Sequence, residues 1–240
     1  AGGPEEARII VVPTAGGNRR NGEVRVYQDS SVTRAWKNRR GVKNVIMLHT
    51  SDPEIANTEE FVKDLRNATG VWFNGGRQWN IVDSYLNTLT YDEFHKVLER
   101  GGIIGGSSAG ATIQGSFLAR GAESGNTIMI APNPTHRIGF SFLKNSAIDQ
   151  HIDRRNRWTD LYDVIKVYPE LLGIGISEAT AILVNGDEFE VIGRNKIAIH
   201  DAMKPIAFGD TTANIQILSP GDRFNIKTRS LIQRAEQDTS

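Results

Sequence analysis

Cysteine is absent from the 240 residues, and that removes disulfide frameworks, thiolate metal centres and any cysteine nucleophile at once. It leaves the redox compartment open. Net charge is missing as well: Lys+Arg and Asp+Glu both number 28, so no global field draws the chain to nucleic acid or to an anionic membrane. A small substrate, uncharged or steered locally, fits this balance better. No apolar run approaches the roughly 18 residues of a membrane-crossing helix. The opening AGGPEEARIIVV lacks the charged, apolar, small-residue order of a signal peptide. The chain therefore reads as soluble, with its compartment undetermined. Repeats, low-complexity segments and linkers are also lacking. Residues 1–240 are expected to form a single domain, and 39% hydrophobic content suffices for a substantial core.

What is present is an alternation of short apolar runs with longer amphipathic ones. Arg8 to Val12 reads as a buried strand closed by Pro13 and Ala15-Gly16-Gly17; Val42 to Leu48, Val71-Trp72-Phe73 and Ile103-Ile104 follow as further strands. Between them helices are expected through Val32, Ala35 and Trp36, then from a Ser51-Asp-Pro-Glu54 capping box through Phe61, Val62 and Leu65. Two more run through Trp79, Val82 and Tyr85, and from Thr90 to the stop at Gly101-Gly102. Strands that are apolar throughout imply an α/β fold with a parallel sheet covered on both faces. Right-handed crossovers then gather the loops that follow each strand along one edge. Strands are also expected at Ala147 to His151 and Leu172 to Ser177, with a helix through Leu161, Val164 and Ile165 between them. A hairpin signal across Asn185-Gly186, with Ile197 to Ile199 and Ile215 to Leu218, makes the C-terminal third richer in antiparallel strands.

Residues 101–121, GGIIGGSSAGATIQGSFLARG, read as strand, tight turn and helix, with Ile113, Phe117 and Leu118 at helical spacing. Only Ser108 satisfies a G-x-S-x-G frame, between Gly106 and Gly110. Such a serine sits in strained backbone at a sharp turn, and its neighbours must be small so that strand and helix can pass closely. Ser108 is thus the candidate nucleophile. The N–H of Ala109 and the Gly75-Gly76 turn could together hold an oxyanion, with the helix dipole assisting. A glycine-rich turn also binds phosphate or simply packs tightly, so the frame alone leaves those alternatives open.

A serine nucleophile needs a base, and the base an orienting group. Of five histidines, His151 is the best placed, at a strand end amid Asp149, Gln150 and the arginines 154, 155 and 157. Glu178 ends the strand that begins at Leu172 and could reach the same edge to hold the imidazole. With no cysteine and no histidine pair at ligand spacing, neither a metal nor a cofactor is expected.

The motifs GGSSAGA with Ser108, GGRQ with Gln78, DQHIDRRNR with His151 and GIGISEATA with Glu178, in this order, resemble the cyanophycinase family, related more distantly to aspartyl dipeptidases. The resemblance runs over nearly the whole chain. It implies a three-layer α/β sandwich similar to class I glutamine amidotransferases, and a Ser108, His151, Glu178 triad acting through an acyl-enzyme. Gly76 and Ala109 would form the oxyanion hole, and Gln78, Asp149, Gln150, Arg155 and Arg157 would face an aspartyl or β-aspartyl peptide. Family members cut the β-aspartyl-arginine polymer cyanophycin, usually as homodimers. Two residues depart from the pattern: Asp160 stands where cyanophycin-degrading members carry an arginine, and Arg77 where they usually carry an acid. Both bear on the polymer rather than on the chemistry. The family also carries a strand and glycine-rich loop ahead of AGGPEE, so either the start lies outside this sequence or the sheet is expected to be one strand short. A broader serine esterase or amidase, and a silent binding protein for aspartyl or arginyl ligands, are the alternatives.

Overall fold

The computed structural model describes residues 1–20, 22–125, 127–203 and 215–235. Four parallel strands make the first sheet in the order Asn44–Met47, Arg8–Val12, Gly70–Phe73, Ile103–Gly106. The strand Arg8–Val12 is apolar at every position after Arg8 because both faces are covered. Ile10 and Val12 join a core with Phe73, Ile81, Tyr85 and Phe94, while Ile9 and Val11 pack with Val42 and Val45 on the other side. Phe73 is fully buried in T-shaped contact with Phe94 and Phe140, a position where truncation to alanine typically costs about 3–5 kcal/mol.

A second sheet of five strands runs Ile215–Leu218, Ile197–His200, Leu172–Ile176, Leu143–Gln150, Gly115–Phe117. Its last three members are parallel and its first two antiparallel. A third sheet, Thr180–Asn185, Glu188–Gly193, Arg223–Asn225, Ser230–Gln233, is antiparallel throughout. The α/β class and the antiparallel C-terminal third are as expected, with the parallel strands shared between two hydrogen-bonded sheets. No helix among the described residues is long and apolar enough to cross a membrane.

Local expectations fail where side-chain oxygens compete with the backbone. The single helix expected from Ser51 to Leu65 is two short helices, Pro53–Ala56 and Glu59–Val62, followed by a 3-10 turn at Leu65–Asn67. Asp52, not Ser51, caps the first by accepting from Glu54 N, and Thr58 starts the second. The next long helix is Leu89–Glu99, capped by Thr88, whereas the Thr90 hydroxyl is spent on the Ala56 carbonyl. The helix behind Ser108 is one turn, Ala109–Thr112, and Phe117 lies in a strand. There the Ile113 carbonyl accepts from Phe140 N at 2.7 Å instead of continuing the helix. The hairpin pairs Asn185 with Glu188, so its turn is Gly186-Asp187.

Candidate active site

The strand ends line up along one edge, where Val12 pairs with Phe73 and Phe73 with Gly106 in register. Ser108 follows in the left-handed region, φ 54° and ψ −119°, a conformation that costs a side-chain-bearing residue about 1–3 kcal/mol. The G-x-S-x-G spacing is explained by the packing beneath it. A Cβ on Gly106 would lie 2.2 Å from the Gly110 carbonyl oxygen, and one on Gly110 would lie 2.0 Å from that of Phe73.

Ser108 Oγ lies 3.0 Å from His151 Nε2, and His151 Nδ1 lies 3.1 Å from Glu178 Oε1. His151, just past the strand Leu143–Gln150, is itself left-handed at φ 59°, which turns its ring back over the edge. The other histidines are occupied elsewhere. His49 meets Thr14, His95 packs against Tyr91 and Phe142, and His200 is buried in the second sheet. His136 is held by Asp83 Oδ1 at 2.7 Å and faces Glu123 at 3.6 Å, a carboxylate setting invisible in its sequence neighbourhood. The Gly75-Gly76 turn lies against the serine: a Cβ on Gly75 would come 3.0 Å from Ser108 Cβ. Gly76, at φ 150°, passes so near Ala15 that a Cβ would sit 2.1 Å from its carbonyl oxygen. Neither the Gly76 nor the Ala109 N–H donates to a backbone carbonyl among the described residues.

Beside Ser108 a cavity of about 160 Å³ is lined by Gly76, Gln78, Gln150, Arg155 and Arg157, with Arg77 and Arg120. Gln78 is buried and donates to the Ala119 and Arg120 carbonyls at 2.8 and 2.7 Å. Asp149 lies behind this wall, its carboxylate gripped by Arg120 through Nε at 2.9 Å and Nη2 at 3.0 Å. Arg120 also bonds Asp160. Burial alone would lower the Arg120 guanidinium, but Asp149 and then Asp160 outweigh it and hold it above its ordinary value. Arg157 is pushed down, by burial first and by Arg120 second. Among the described residues, its Nη1, 4.0 Å from Asp149 Oδ1, and the Oε1 of Gln150 are buried without a hydrogen-bond partner, so one cationic donor and one neutral acceptor wait at the cavity. Arg155 and Arg157 stand in turns ahead of the helix Tyr162–Val167, not at its start; Asn156 at φ 50° and the bond from Arg157 N to the Ile152 carbonyl curl the chain there. On the other side of Ser108 a larger groove of about 740 Å³, mainly apolar, runs past Ile103, Ile104, Ile176, Ile182 and Val184.

Arg120 is the polar residue that sequence reasoning passed over. Its signal was a lone arginine inside the small and apolar stretch Phe117-Leu-Ala-Arg-Gly-Ala122.

The arrangement can deprotonate a hydroxyl, stabilise the resulting imidazolium and receive an anion beside it. Comparison with known proteins points the same way. The model of Peptidase family S51 matches residues 1–192. Among curated relatives, the cyanophycinase of Synechococcus elongatus is 30% identical over 209 residues, covering 80% of this chain and 63% of that protein. Those of Geminocystis herdmanii and a Nostoc species are 29% and 24% identical, covering 78% and 99% of this chain and 74% and 82% of theirs. The chain thus spans less than two thirds of the Synechococcus relative. Among solved structures, a peptidase from an acI-B1 actinobacterium superposes with TM-score 0.66 at 21% identity, covering 90% of this chain and 83% of its own. A putative peptidase E from Listeria monocytogenes does so at 0.55 and 17%, covering 81% and 90%. At these identities the two structures speak for the fold alone.

Proposed function

Because the chain belongs to peptidase family S51, we propose that it is a serine peptidase hydrolysing aspartyl or β-aspartyl peptide bonds. The observation that carries this reading is the continuous line from Ser108 Oγ through His151 to Glu178, 3.0 and 3.1 Å long at its two links, opening on an arginine-lined cavity. Ser108 Oγ attacks the carbonyl carbon while its proton passes to His151 Nε2, and the carbonyl oxygen becomes an oxyanion facing the Gly76 and Ala109 N–H groups. Collapse breaks the C–N bond, and His151 returns the proton to the leaving amine. Water then attacks the acyl-enzyme, giving a proton to His151 and freeing Ser108. Glu178 holds the imidazole tautomer and stabilises imidazolium.

The aspartyl carboxylate would be met by Arg155 and Arg157 and its ammonium by Gln150 Oε1, the pairing that the unpartnered donor and acceptor invite. Gln78 supports the cavity wall, and Asp149 acts through Arg120 and Arg157. The apolar groove beyond Ser108 favours a leaving group less cationic than arginine, so short aspartyl or isoaspartyl peptides are preferred over cyanophycin. A homodimer belongs to the same proposal, and sedimentation would test it. The decisive experiment offers the protein cyanophycin, β-Asp-Arg and a panel of α-aspartyl and isoaspartyl peptides, with products followed by mass spectrometry. Hydrolysis on the carbonyl side of aspartate is expected. Turnover of simple esters and amides with no aspartyl preference would favour the broader hydrolase instead.

A further inference from the structure

Glu178 is held in a way that its own surroundings do not explain. Its side chain is 48% exposed, and a lone carboxylate at a surface gains little from one partner while water competes for it. The restraint lies in its backbone. Its N–H donates to Asp153 Oδ1 at 2.9 Å, and its carbonyl accepts from Asn195 Nδ2 at 2.8 Å and from Thr180 Oγ1 at 3.1 Å. Asn195 Nδ2 also reaches Asp153 Oδ2 at 3.4 Å, and Asn195 N donates to Thr180 Oγ1 at 2.9 Å.

Asp153 lies two residues beyond His151, so a single carboxylate couples the loop that carries the imidazole to the loop that carries the acid. The far side is closed by the turn before Asn195. Arg194 N donates to the Ala179 carbonyl at 2.9 Å, and Gly193 passes that carbonyl where a Cβ would sit only 2.3 Å away. Ala179 itself is left-handed at φ 52°, a costly conformation for alanine that the surrounding bonds impose. Neither Asp153 nor Asn195 lines the cavity or the apolar groove. Contact with substrate therefore does not account for their placement.

We propose that Asp153 and Asn195 are positioning residues that set Glu178 against His151, a role that rests on the serine-peptidase reading above. Their effect should appear in the reactivity of Ser108 and not in substrate affinity. The readout is the second-order rate at which a fluorophosphonate acylates the full chain. Asp153→Ala should slow acylation about tenfold, within the range of coupled neighbours. Asp153→Asn, which keeps an oxygen for the Glu178 N–H, should recover most of the rate. With a cleaved peptide, kcat should fall and KM stay. In a Glu178→Ala background, Asp153→Ala should slow acylation no further, because the group it positions is gone. Acylation of Asp153→Ala at the parental rate, or an equal slowing with and without Glu178, overturns the proposal. Should thermal melting show Asp153→Ala to be unfolded, the exposed Asn195→Ala carries the same comparison, with about threefold slowing expected. Labelling of Ser108→Ala as fast as the parent would instead sink the serine reading itself, and the clamp with it.

Discussion

Arg120 and Asp149, on one side of the cavity, are 2% and 1% exposed and joined by two parallel hydrogen bonds. Ser108, His151 and Glu178, on the other, are partly open to solvent, and two of the three stand in left-handed backbone. The first group is saturated because buried charge is tolerable only when matched; removing one partner strands the other in low dielectric. The second keeps hydrogen-bonding capacity in reserve, as the nucleophilic role proposed for Ser108 requires, since a nucleophile with every lone pair engaged could not react. Both are built from the same segments, since Asp149 and His151 are two residues apart. The cavity therefore has a buried, fully paired side and a side left partly open, where the proposed chemistry would take place.

Breaking the open side should show most strongly in chemistry. Ser108→Ala is expected to lower turnover on the order of a million-fold with little change in stability, whereas Ser107→Ala keeps most activity. Equal losses in the two variants would dissolve the contrast. Breaking the saturated side should show in folding. Asp149→Ala leaves Arg120 and Arg157 without their shared counter-ion and should cost about 3–5 kcal/mol in urea unfolding. A cost below about 1 kcal/mol would mean that water already reaches this pair.

The second sheet, which carries Asp149, also has a pH dependence that the open side need not share. His200, whose charged form Asp160 favours, is pushed down to about 4 from 6.5, chiefly by burial, which outweighs the Trp158 backbone bond and Asp160. Between those values the unfolded chain binds the extra proton, so stability is full above about 6.5 and falls as pH drops toward 4, by about 3 kcal/mol in all. His200→Gln should flatten that limb in melts taken across the window; an unchanged limb would assign it to other groups. The smallest effect sharpens the contrast at the cavity itself. Arg155 is exposed and lines the cavity. Arg155→Lys should lower kcat/KM for aspartyl peptides about tenfold, roughly 1.4 kcal/mol, because lysine cannot form two parallel bonds to a carboxylate. Parental rates in Arg155→Lys and Arg157→Lys alike would remove the acidic substrate from the proposal.

Amino-acid order alone was enough to locate the strands at residues 8–12, 70–73 and 172–176, and to single out Ser108, His151 and Glu178, which the fold brings within hydrogen-bond reach. Those features follow from local rules: β-branched runs, glycines where a Cβ cannot fit, polar residues at the ends of apolar strands. Tertiary structure decided the rest. It cut the helix after Ser108 to one turn by lending Phe140 N to Ile113, and it curled the segment of Arg155 and Arg157 ahead of the helix Tyr162–Val167. It joined Arg120 to Asp149 across 29 positions and Glu178 to Asp153 across 25. No short-range pattern encodes such pairs, because what brings them together is the packing of sheets whose strands are distant in sequence, and a buried or clamped charge reveals its partner only once that packing exists.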